Sequence, residues 1–538
     1  MKQIKLAKST GRSQIGPWSA SLLIAAGMQT LVLPSLHAET TKCDISDKGI
    51  TTAVEDGLSM ANGVSLNDVD VSTSRGVVTL SGSVDNLLDK ERAAKTAENM
   101  RGVLDVTNQI TVNPVSLPDD DIKKNLEQAL QQDPATESYH TEVSVRDGVA
   151  TLTGSVVSYA AKQLVARVAE GVKGIKEIQN QITVAYQAQR TDEEITADLK
   201  AVLQWGDVWI NGDLITPEVK DGQVKLTGTI GSAISKERAY DDAWVNGVTS
   251  VDDSGLKVEP WAHNGAIDKN KNASAAGPAI QQAVQAALRA DPRVSAFAPE
   301  VSFTDGTVNL SGTVGNLKAK TSAEQDAKNV VGVHQVENHL RVRTKETTVA
   351  ADTESQLKAA LAWDPWLDNS SDIDVAVIDH VAYLSGGVDS SFQRAEAQDV
   401  ASRTKGIDEV RDHLKVVPDY LAAEYDSDYD AYSDYDYGYY GWPYYSVSPY
   451  FSETPYYDAE MSGPQPYKSD AQIKKSIEDH MFWSPFVDRD DVKVAVNGGV
   501  ATLTGTIGTW VGWGEAEKDA HKGGASFVRD LVSETHEN

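Results

Sequence analysis

One phrase, Gly-x-x-x-Leu-Ser/Thr-Gly, recurs six times in this chain and ends at Gly82, Gly154, Gly228, Gly312, Gly386 and Gly505; in the fifth copy His380 replaces its first glycine. Repetition at a fixed period means one supersecondary unit used many times, so the fold and function are those of a small module. Successive copies are offset by 72, 74, 84, 74 and 119 residues, differences taken between those glycine positions. The unit therefore spans roughly seventy residues, and the last spacing is long because a tyrosine-rich stretch is inserted.

Within a unit the pattern reads helix, strand, strand, helix, strand. Apolar residues at i, i+4 and i+8 open the copies: Ile50, Val54, Leu58; Ile122, Leu126, Leu130; Ile195, Leu199, Leu203; Ile280, Val284, Leu288; Ile473, Ile477, Met481. That is one stripe of an amphipathic helix, of which the fifth copy keeps only Leu357 and Leu361. Asp121 is expected to start the second copy's helix, and Thr191-x-x-Glu194 and Ser469-x-x-Gln472 have the capping-box form. Asp147-Gly148, Asp221-Gly222 and Asp305-Gly306 separate alternating runs, a hairpin signal. One face of the second strand is apolar, as in Val78, Leu80 and Val84, and the other carries Thr79, Ser81 and Ser83. Helices should cover the first face and leave the second wet or available to a partner.

An alanine-rich second helix follows and is expected to stop at Gly102, Gly174, Gly247, Gly332 or Gly406. The last strand then reads Val106-x-Asn108-x-Ile110-x-Val112, with counterparts around Asn180, Asn338 and Asp412. A polar residue on an apolar face is normally bonded internally, which favours a structural role over ligand contact.

These residues together resemble the BON domain, a bacterial module named for osmotically inducible and nodulation proteins. The resemblance covers about four fifths of the chain beyond its leader and rests on the ordered set of motifs. It implies an α+β fold, here a tandem array of α-β-β-α-β modules, each a three-stranded mixed sheet with two helices on one face. It also implies envelope proteins induced by osmotic stress, some of which contact phospholipid, and it brings no catalytic residues. His380 in place of the turn glycine, and a shortened last strand around Val528–Val532 in the sixth copy, depart from the pattern.

The boundaries read from sequence are a signal peptide at 1–38, modules at 44–113, 119–186, 191–259, 278–343, 352–417 and 469–534, a linker at 260–277 and a flexible Tyr/Asp-rich spacer at 419–468. The leader has Lys2, Lys5, Lys8 and Arg12, then an apolar run, then Ala38, the layout of a secretory signal. Export to the periplasm is expected. Cys43 is the lone cysteine, so no internal disulfide can hold a module together.

With 79 acidic against 49 basic residues and a formal charge of −30, nonspecific nucleic-acid binding is disfavoured. The chain has no nucleophile elbow, phosphate loop or metalloprotease pair, so no catalytic residue, metal, cofactor or small-molecule substrate is expected. Asp426-x-Asp428-x-Asp430 opens like a calcium loop, but Ala431 and Tyr437 stand where glycine and glutamate are required.

Two features bear on partners. Copies three, five and six end their first helix with aromatics, Trp205 and Trp209, Trp363 and Trp366, Phe482, Trp483 and Phe486. Such side chains suit a small core or an interface, and the core is the expected place because so short a unit must bury large groups. The second helix of copy two gathers Lys162, Arg167, Lys173 and Lys176 near Tyr159, a candidate face for anionic phospholipid in an otherwise acidic protein. The expected function is non-enzymatic binding of phospholipid surfaces in support of envelope integrity, with a protein-interaction scaffold as the alternative.

Overall fold

The computed structural model describes residues 45–59, 68–186, 190–262, 277–342, 350–367, 372–416, 446–447, 451–452, 468–487, 491–507 and 510–533. The expected signal peptide, Cys43, and most of the 260–277 linker and of the Tyr/Asp-rich spacer lie outside these residues. The described residues form one compact unit.

Each module has the same path. In module 1 a first helix, Asp47–Ser59, leads into a hairpin, Val69–Ser74 and Val77–Val84, then a second helix, Leu87–Glu98, and a last strand broken into Asp105–Asn108 and Thr111–Val112. The hairpin is antiparallel and the last strand runs parallel to its second strand, giving a mixed sheet with that strand central. Module 2 repeats this with helices Asp119–Gln132 and Tyr159–Glu170 about the hairpin His140–Arg146 and Val149–Val156, and module 3 with Asp192–Ala201 and Ala233–Asp242. Modules 4, 5 and 6 pair their last strands, Gln335–Val342, Glu409–Val416 and Phe527–Ser533, without a break. The sixth runs seven residues against eight in modules 4 and 5, in an unbroken parallel register from Val500↔Phe527 to Thr506↔Ser533.

Helix stripes and inward strand positions fill each core. Val54, Leu126, Leu199, Val284, Leu357 and Ile477 are fully buried, and in module 5 Thr353 takes the missing first place of the stripe. The capping boxes at Thr191/Glu194 and Ser469/Gln472 form with both reciprocal bonds. Asp121 is not a cap: the helix begins two residues earlier, at Asp119, after Pro118. The first-turn aspartate instead reaches across to the hairpin. Asp119 accepts from the turn N–H groups of Asp147 and Gly148 at 2.8 and 3.0 Å, and Asp47, Asp192 and Asp470 do the same in their modules.

The motif glycine is required by close approach. Gly154 has φ 129°, and a Cβ there would lie 2.3 Å from the carbonyl oxygen of His140 on the paired strand. Nor do the second helices stop at their glycines: module 1's ends at Glu98, with Asn99 as its cap, and Gly102 lies in the next turn. A side chain at Gly102 would press on Ile45 and Ile50, so the glycine is kept for packing against the first helix. In module 5 Asp379 and His380 both take left-handed backbone, and His380 Nδ1 lies 3.0 Å from the Gly406 carbonyl.

Candidate interaction surfaces

The recurring asparagine is a clamp. Asn108 donates from Nδ2 to the Lys90 carbonyl in the second helix at 2.8 Å and accepts from the Ile110 N–H at 3.1 Å. Asn180 and Asn338 repeat this with Lys162 and Ile182, and with Lys320 and Leu340. A carboxylate cannot donate, and Asp412 therefore accepts from the guanidinium of Arg394, which occupies the position of those lysines, while keeping the bond from Leu414 N–H. All four residues tie the helix layer to the sheet.

The aromatics at the first-helix ends are spent between modules, contrary to the expectation that they cap their own cores. The N–H of Arg101 in module 1 donates to the Trp483 carbonyl of module 6 at 2.8 Å. Lys173 of module 2 does the same to Trp363 of module 5 at 2.9 Å, and Val331 of module 4 to Trp205 of module 3 at 2.9 Å. Each donor immediately precedes the glycine that follows the second helix. Trp363 packs on the core of module 2 and Trp483 on that of module 1, while Trp209 and Phe486 join the core of module 4. A seventy-residue unit buries only part of the surface it needs, and a neighbour's indole supplies more.

Further contacts cross between modules. Trp366 Nε1 donates to Asp89 Oδ1 at 2.7 Å, the Arg92 guanidinium lies 4.6 Å from the centre of the Phe392 ring, and Tyr159 stacks on Trp244 with ring centres 3.9 Å apart. Arg293 pairs with Asp133 at 3.0 Å and Lys318 with Asp399 at 2.9 Å, all largely desolvated. Burial pushes Asp241 up to about 7, against the pull of Lys95, Arg238 and Arg167. Burial also works to raise Asp399, but Lys318 and Arg403 override it and leave it at about 2.

These contacts absorb most of the basic face expected to meet lipid. Arg167 is paired with Glu91 of module 1 and with its own Glu170, and Lys173 Nζ donates to the Leu367 carbonyl of module 5 at 3.0 Å. Tyr159 is stacked on module 3. Lys162 is half-buried and Lys176 exposed, so the structure does not bring the five residues together as one open surface. The legible signal for the real arrangement was that three copies end their first helix in aromatics and three do not.

Among the described residues the side of each sheet away from the helices carries exposed and half-exposed positions. Ser72, Ser144, Glu218, Ser302 and Asp374 are exposed, and the central-strand hydroxyls Thr79, Thr151 and Thr502 are half-exposed. Among the described residues no helix is long and apolar enough to cross a membrane.

An array of small mixed α+β modules, four of them with a clamp residue in the last strand, defines the class. The chain belongs to the BON domain family, whose model matches residues 46–114, 118–186, 191–260, 278–344, 350–418 and 469–533. It is also similar to osmotically-inducible protein Y of Escherichia coli (strain K12), 29% identical over 145 residues, which is 26% of this chain and 72% of that protein. Among solved structures it matches CdsD, a structural protein of the type III secretion system of Chlamydia trachomatis, with 16% identity over 42% of this chain and 94% of that one, at a TM-score of 0.12.

Proposed function

We propose that this is a non-enzymatic, exported envelope protein that supports tolerance of osmotic stress by binding phospholipid surfaces through many weak contacts. The observation that carries this reading is geometric: second helices and aromatic turns are consumed in joining modules, whereas sheet faces stay exposed on a single chain. Several weak sites on one body gain from effective concentration. Family membership and the similarity to an osmotically inducible protein support the osmotic and periplasmic setting.

The second reading, a scaffold for envelope proteins, is favoured by the engagement of Tyr159, Arg167 and Lys173 within the protein. Co-sedimentation of residues 39–538 with zwitterionic and anionic vesicles over a salt series separates the two. Binding to anionic vesicles that weakens with salt upholds the first, and no binding at any salt leaves the scaffold.

A further inference from the structure

The outward sheet face of module 5 joins an exposed isoleucine and a tyrosine to a row of basic residues. Across its strands Ala376 lies beside Tyr383 and Arg411, and Ile378 beside Val381. Ile378 is 57% exposed, although its side chain is large and apolar. Arg411 leans on Tyr383, 5.5 Å from the ring centre, donates to its hydroxyl and pairs with Glu409. Beyond it His413 and Lys415 continue the exposed row, with Asp374 the acidic residue on the first strand. The equivalent rows in modules 1 and 2 start Asp105, Thr107 and Glu177, Gln179 and contain no basic residue, and those of modules 4 and 6 set His339, Arg341 and Arg529 beside Ser311, Thr313 and Thr502 rather than beside a tyrosine. An exposed isoleucine flanked by half-exposed Val381 and Tyr383 and by a row of cations suits a partner that brings aromatic rings and carboxylates.

We propose that the patch is covered in cis by the Tyr/Asp-rich segment 419–468 of this same chain. Three observations point to that occupant. The segment holds fourteen tyrosines, ten acidic residues and one lysine, so it offers aromatic rings to Ile378, Val381 and Tyr383 and carboxylates to Arg411 and Lys415. It begins three residues after the last strand of module 5 ends at Val416, which makes its local concentration high. An eight-residue strand is about 26 Å long, and the first nine residues of the segment can span roughly 30 Å, enough to run back along the whole face. Module 6, which follows the segment, also exposes an aromatic on this side of its sheet, Phe527 at 53%.

The test is a spin label at Ser433→Cys in a Cys43→Ser background of residues 39–538, paired for distance measurement with Ser385→Cys on the outward face. Docking predicts slowed label motion and a short Ser385–Ser433 distance. Both should be lost in the combined Ile378→Ser, Tyr383→Ser, Arg411→Glu, Lys415→Glu variant, and weakened severalfold by Lys415→Ala alone should the combined variant fold poorly. A label that moves freely and ignores every substitution overturns the proposal. A short distance that vanishes on tenfold dilution with unlabelled protein also overturns it, in favour of a second copy. Anionic vesicles that bind the native face with no change in the label would overturn it in favour of a lipid surface.

Discussion

Arg101 holds the far end of the chain: its backbone N–H donates to the Trp483 carbonyl, and its guanidinium donates to the carbonyls of Ser484 and Val487 at 3.2 Å each. Trp483 ends the first helix of module 6 and Ser484 and Val487 lie in the turn after it, so one arginine in module 1 donates to all three carbonyls. Arg101→Ala leaves the backbone bond and strips the other two. The expected cost is about 1–3 kcal/mol, because partly buried acceptors lose charged donors. Hydrogen exchange should speed up at residues 484–487 and not in module 5, where Lys173 serves the same purpose.

Trp366→Phe isolates a single hydrogen bond. The ring still packs beside Phe392, but Asp89, largely buried and raised to about 6 chiefly by desolvation, loses its indole donor. The variant should unfold at lower temperature by an amount corresponding to about 1–3 kcal/mol, with the loss larger at pH 8 than at pH 5. Equal losses at the two pH values would mean that packing alone is affected.

Much of the module was readable from residue pattern because its signals are local. The Ile122, Leu126, Leu130 stripe, the Thr191/Glu194 box and the Asp147-Gly148 turn each act within a dozen residues. Asn180 was placed on the apolar face correctly for the same reason. The aromatics of copies three, five and six were misplaced because their partners stand in other modules, and Trp363 gives no local hint that it seats on residues near Lys173. The engagement of the basic face of copy two is illegible for the same reason: Arg167 looks solvated until Glu91 of another module is set beside it. Relations between copies are carried by differences among them, which a repeat-averaged reading discards.

Stability should fall with pH because of Asp241. It is 5% exposed, one of its carboxylate oxygens has no hydrogen-bond partner among the described residues, and burial lifts it to about 7. The folded protein thus holds a proton at this site that the unfolded chain releases near pH 4, so the contribution of Asp241 to stability is lost as pH rises from about 4 to about 7. Asp241→Asn should remove that part of the slope. Its melting temperature is expected to exceed that of the parent at pH 8, by the equivalent of about 1–3 kcal/mol, and to match it near pH 4. A parent and variant with parallel pH profiles would place the titration elsewhere.

Asn180→Ala separates the structural role of the clamp from any ligand role. The substitution leaves the Lys162 carbonyl without its amide donor and the Ile182 N–H without its acceptor, both at the seam between helix and sheet of module 2. Two half-buried backbone groups without partners should cost about 1–3 kcal/mol. Asn180→Asp should do little better, since a carboxylate cannot donate to the Lys162 carbonyl and, unlike Asp412, has Lys162 rather than an arginine at the matching position. Asn180→Asp with Lys162→Arg and Ala166→Gln recreates the module 5 arrangement, in which Arg394 and Gln398 both donate to Asp412 at 2.5 Å, and should recover part of the lost stability. Chemical denaturation of the three variants reads this directly, and an Asn180→Ala protein as stable as the parent but deficient in partner binding would reassign the residue to recognition.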